Sequence, residues 1–134
     1  MPFKYKIFEK DAYLLVEAGG EANTLEDMAE YSDAVFDAAF AKGYTCVLHD
    51  QRTLVANFTQ IDVINLADQY IDMDAQTYGM RAAIVCSEQN LEIIRFLETA
   101  FQNRSMELRT FTDIASAEEW LACKERKFFA QTDP

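Results

Sequence analysis

The chain has 134 residues, half of them apolar and 13% aromatic, which fits one folded domain with its own core and not a disordered segment. Its 23 acidic and 12 basic residues give a net charge of −11 with the single histidine neutral. A surface that acidic repels phosphate backbones and anionic lipid head groups, which argues against nucleic-acid binding as the main task.

The predicted elements run in regular order. Residues 4–9 and 12–18 read as two strands, joined at Lys10-Asp11 into a hairpin. Lys4 and Lys6 alternate with Tyr5 and Ile7, as on an edge strand with one wet face. Gly19-Gly20 is expected to end the second strand. A long helix follows over about 24–42, capped by Asn23 or Thr24, with Glu26 and Asp27 at its positive end. Leu25, Met28, Ala29, Val35, Phe36, Ala39 and Phe40 keep the helical period, and Ser32 shares their face. Glu26, Glu30, Asp33 and Asp37 form the opposite, solvated face, and Lys42-Gly43 stops the helix.

Residues 44–49 are apolar enough for a central strand, which is expected to end at Asp50. Residues 51–58 then form an apolar linker. A second helix over about 59–75 starts at Thr59, with Asp62 answering in a capping box. It carries two apolar stripes, Ile61, Ile64, Ala67, Ile71 and Val63, Leu66, Tyr70, Met73. One should face the sheet, which leaves the other surplus. Residues 79–86 form the next strand, and Ser87 caps a third helix over 88–103. Residues 106–111 form the last strand. Thr112, Asp113 or Ser116 caps a final helix reaching about 127, with Ser116 to Glu119 matching a capping box and a loose tail after Phe129. The order β-β-α-β-α-β-α-β-α defines one α/β domain over 1–134. It predicts a five-stranded, mainly parallel sheet with an antiparallel edge strand and four helices.

Catalytic motifs are scarce. A nucleophilic triad would have to use His49, the only histidine, and the four glycines make no phosphate-cradling loop. Zinc would need clustered Cys and His ligands. The three cysteines, Cys46, Cys86 and Cys123, are spaced too far apart for that and read as reduced, buried thiols of a cytoplasmic protein. No apolar run approaches the ~20 residues of a membrane span, and the first residues lack the features of a secretory signal. His49 and Asp50 are strand neighbours, so they point to opposite faces and Asp50 cannot orient the imidazole. His49 is expected to be a partly buried, hydrogen-bonded residue. Asp50, with Arg52 nearby, is the better ligand-site candidate.

The opening hairpin that leads into a helix, the strand Cys46-Val47-Leu48-His49-Asp50 and the closing pattern Phe111 … Ala117-x-x-Trp120-Leu121 together resemble the bacterial SpoIIAA-like group. That group is related to the STAS anti-sigma-factor-antagonist domains and similar in fold to Sec14/CRAL-TRIO domains. The resemblance covers almost the whole chain. It implies a non-catalytic regulatory domain that binds a protein partner. STAS antagonists carry a D-S-[ST]-G phosphoacceptor motif, where this chain has Asn57-Phe58-Thr59-Gln60. Phe58 takes the acceptor place and no glycine follows, so Thr59 is an acceptor only by analogy and reads first as a helix cap. Asp50 and Arg52 at the end of the central strand, with Asn57 and Thr59 in the place of that motif, make up the candidate ligand or partner loop. The surplus stripe Val63, Leu66, Tyr70 and Met73 is expected to form an interface or pocket wall. It would serve a protein partner, a homodimer or, in the Sec14-like alternative, an apolar small molecule or lipid. No cofactor and no metal are expected.

Overall fold

The computed structural model describes residues 3–69, 80–104 and 106–122. Five strands, β1 (Lys4–Glu9), β2 (Leu14–Ala22), β3 (Cys46–Ala56), β4 (Arg81–Cys86) and β5 (Glu107–Phe111), form one sheet in sequential order. β1 pairs antiparallel with β2, and every later pairing is parallel. The four helices are α1 (Leu25–Lys42), α2 (Gln60–Gln69), α3 (Leu91–Gln102) and α4 (Ile114–Leu121). This is the α/β architecture expected from the element order.

The period-two alternation of the strands sorts the core into two layers. Leu14, Val16, Ala18 and Val47 pack against Tyr31, Val35 and Ala39 of α1. Leu54, Ile84 and Leu108 continue that face beneath Val63, Leu66 and Ala67 of α2 and Ile94, Leu97 and Phe101 of α3. The alternate residues Cys46, Leu48, Ala83 and Val85 face the other way, against Ala117 and Leu121 of α4. Leu14, Leu48, Ile94 and Leu121 are fully enclosed, and each such side chain contributes about 1.5–3 kcal/mol of burial.

Local chemistry sets the helix ends. Thr24 Oγ1 accepts from Asp27 N at 3.1 Å to open α1. Gly43, with φ 77°, closes it in a left-handed turn that a side chain would strain. The third helix begins with one turn of 3-10 helix, Glu88–Asn90, and the Ser87 side chain makes no cap bond there. α4 is opened by Asp113, whose Oδ1 accepts from Ser116 N at 2.8 Å, so the expected capping box at Ser116 lies inside the helix. The helix ends at Leu121 because Ala122 turns left-handed, with φ 49°, short of the expected 127.

Two strand boundaries differ from the sequence expectation for one shared reason. β2 runs through Gly19-Gly20 to Ala22, and β3 runs past Asp50 to Ala56. Glu17 pairs with Asp50 but Gly19 with Thr53, so β3 carries one residue more than β2 between these pairs. That bulge reverses the alternation, turning Leu54 inward after His49 and Gln51. A Cβ at Gly19 would lie 2.8 Å from Thr53 Oγ1, so a side chain there would force the Thr53 hydroxyl to turn away. The presumed linker is therefore strand, and Asp50 lies within β3 and not at its end.

Cys46 is disulfide-bonded, which corrects the expectation that every cysteine is reduced. Cys86 is a free thiol buried under α3, and burial raises its pKa.

Candidate functional site

The bulge in β3 leaves three polar side chains on or beside the helix-facing surface of the sheet, where apolar ones would be expected. His49 and Gln51 alternate with Val47 on that face, and Tyr31 descends onto them from α1. Tyr31 Oη and His49 Nδ1 lie 2.5 Å apart. Gln51 Nε2 donates to Tyr31 Oη over a longer 3.4 Å. The Tyr31 hydroxyl therefore bridges the Gln51 amide and the His49 ring, and the direction of its bond to His49 Nδ1 follows the imidazole tautomer. Tyr5 meets Tyr31 edge-on at 5.1 Å, and Phe3 lies 5.4 Å from it, so aromatic contacts fix the hydroxyl's position.

This cluster forms one wall of a cavity of about 90 Å³ between the sheet and α1, α2 and α3. Met28, Phe36, Leu66 and Phe101 make the apolar walls, and Ser32 of α1 adds a hydroxyl. Low-dielectric surroundings disfavour charge here. Burial pushes the His49 pKa down to about 4 and the Tyr31 pKa up, so both are neutral at pH 7. Gln51 is only 2% exposed, and its Oε1 has no hydrogen-bond partner among the described residues.

His49 and Asp50 do point to opposite faces. Asp50 lies on the far side of the sheet, where Arg52 Nε and Nη2 grip its two oxygens at 2.9 Å each. Hydrogen bonds from Arg52 hold the Asp50 carboxyl below the usual carboxylate range. The pair lines a wide, open groove with Lys4, Lys6 and Glu17, on the part of the sheet that α4 leaves uncovered. Its charges are mixed, so it favours no single sign of ligand.

Asn57 and Thr59 do not join that pair. Asn57 N donates to Ala22 O at 2.9 Å, and Asn57 Nδ2 donates to Asn23 Oδ1 at 2.7 Å, tying the end of β3 to the end of β2. Thr59 forms a reciprocal cap on α2, with Thr59 Oγ1 accepting from Asp62 N at 3.2 Å and Thr59 N donating to Asp62 Oδ2 at 2.9 Å. Phe58, in the place of the phosphoacceptor, is a core residue. Replacing Thr59 by Ala is expected to cost about 1 kcal/mol of stability, and by Ser much less, measured by urea unfolding.

The two stripes of α2 divide differently from the expectation, and Ala67 joins the buried side. Val63 and Leu66 are buried in the core, and Leu66 also lines the cavity. Tyr70 and Met73 lie outside the described residues. The surplus apolar surface is Ile61, 71% exposed, and Ile64, 40% exposed. Glu26, Glu30, Asp33 and Asp37 are exposed along the neighbouring α1, as their spacing implied.

Gln51 and Tyr31 were not singled out from sequence. Gln51 had a signal, since the alternation Val47, His49, Gln51 continues the inward face, but ending the strand at Asp50 hid it. Tyr31 sits between Met28 and Val35 on the helix's apolar face and reads as core.

A sheet with one antiparallel edge, three helices on one face and one on the other defines the class, the SpoIIAA-like fold. Two solved structures share it. One is an anti-sigma factor antagonist from Mycobacterium paratuberculosis, with 12% identity and a TM-score of 0.58. The other is an uncharacterized protein of the DUF3478 family with a SpoIIAA-like fold from Shewanella loihica, with 23% identity and a TM-score of 0.54. Each match covers 90% of this chain and 94% of the other. No protein-family model and no curated protein matches the sequence.

Proposed function

We propose that this domain is a non-catalytic regulatory module that binds a partner protein through the outer face of α2. The observation that carries this reading is the exposure of Ile61 and Ile64, one turn apart on a short helix. Burying two isoleucines is the usual source of affinity at a small interface, and their acidic surroundings set its specificity. The chain's net charge of −11 opposes pairing of two identical acidic faces and favours a basic partner over a second copy. The fold supports the same reading, since one solved structure that shares it is described as an anti-sigma factor antagonist.

The test is affinity purification of the tagged protein from its own cells, in wild-type and Ile61→Glu/Ile64→Glu forms. Both residues are exposed, so the double variant is expected to fold with a melting temperature near that of wild type. The reading expects one basic protein at fixed stoichiometry with the wild type and its loss with the variant. Equal recovery by both forms would refute this face. A concentration-dependent homodimer abolished by the same substitutions would replace the partner with a second copy.

A further inference from the structure

The cavity beneath α1 is independent of the outer face of α2 and has its own chemistry. Among the described residues its walls are apolar apart from Tyr31, Ser32, His49 and Gln51 and the Arg81–Glu107 pair. An apolar pocket with a few convergent polar groups is the usual form of a small-molecule site. Within the polar wall Gln51 Nε2 donates to Tyr31 Oη, which is also bonded to His49 Nδ1. These bonds leave Gln51 Oε1, which is shielded from solvent, without a partner among the described residues. Buried acceptors in folded proteins are satisfied in the great majority of cases, so an orphan beside a cavity points to what the cavity takes.

We propose that this cavity is a binding site for a compact, neutral molecule with an apolar body and one hydrogen-bond donor, which the Gln51 amide oxygen accepts. Size restricts the ligand further. About 90 Å³ is less than the ~150 Å³ of an apolar cavity that takes benzene, so the enclosed space suits a ring no larger than a five-membered one. Charge restricts it as well. No fixed charge faces the ligand from the Tyr31–His49–Gln51 wall, and a charged ligand would lose its hydration without compensation. Arg81 and Glu107, the two charged residues among the lining, are paired with each other at 2.9 Å.

Pyrrole and furan separate the elements of this proposal. The two rings have nearly the same size, but only pyrrole carries an N–H donor. Each is titrated into the ¹⁵N-labelled full chain and followed by amide shifts. Pyrrole is expected to perturb residues around the cavity, among them Ser32, His49 and Leu66, and to bind at least tenfold more tightly than furan. In Gln51→Met, which keeps the side-chain length and removes the acceptor, the preference should fall below threefold. The wild-type comparison stands alone if that variant does not fold. Equal binding of the two rings to the wild type would overturn the donor assignment. Shifts confined to residues outside the cavity, or none, would overturn the site.

Discussion

Replacing Asn90 by Ala is expected to lower the free energy of unfolding by about 3 kcal/mol, or the melting temperature by roughly 10 °C. Asn90 is one of two buried polar residues among those described, and it is 4% exposed. Its Nδ2 donates to Leu54 O at 2.6 Å and its Oδ1 accepts from Ala56 N at 3.3 Å. Both partners belong to the last residues of β3, beyond the reach of β4, whose pairing stops at Gln51. Asn90 thus stands in for a missing strand. The alanine variant strands a carbonyl and an amide, each at about 1–3 kcal/mol. Asn90→Asp retains only the acceptor and adds a charge, so it should be no better than Ala. Urea denaturation measures both. A loss under 1 kcal/mol for Asn90→Ala would mean that the end of β3 is held by other contacts.

Stability should also fall as the pH drops from about 7 to about 4, and His49 supplies a separable part of that fall. The folded-state pKa is lowered from 6.5 to about 4 because packing strips most of the water from the partly buried ring. Below pH 6.5 the unfolded chain takes up a proton that the folded chain refuses, so acid favours unfolding. The slope ends near pH 4, where the folded form also protonates. At about 1.4 kcal/mol per unit, the full loss is about 3 kcal/mol. The carboxylates titrate in the lower part of this window, so the reading is made against His49→Asn, which keeps a hydrogen-bonding group near Tyr31. As the chain's only histidine, His49 makes the difference between the two curves specific. Wild type should lose stability relative to the variant throughout that window. Parallel curves from pH 7 to pH 4 would contradict a neutral, buried ring.

The element order was legible because the βα alternation and the helical apolar periods are strong, local signals. Thr24 and Thr59 were legible as caps for the same reason, each having an acidic partner three residues on. What escaped was set by contacts between distant segments. Gly19-Gly20 looks like a strand end until Thr53 is placed beside it. The polar run Asp50-Gln51-Arg52 looks like a loop, yet it is a bulge that pairing with β2 and β4 holds in the sheet. That single misplacement hid Gln51 and moved the presumed ligand site to the strand's end. The division of the stripes on α2 has a similar origin. Both stripes are apolar, and only the position of α3, packed against Val63 and Leu66, decides which is buried. The apolar walls of the cavity are core residues by every local measure, so no local pattern marks the site.

The central claim is that the outer face of α2 is where this domain meets its partner. Its most direct test is the affinity of the purified partner, measured by calorimetry for three forms of the protein. Ile61→Glu/Ile64→Glu should weaken binding by at least a hundredfold. Asp50→Asn, on the opposite face of the sheet, should leave it within threefold of wild type. An undiminished affinity in the double isoleucine variant, or a large loss in Asp50→Asn, would place the interface elsewhere and contradict the account.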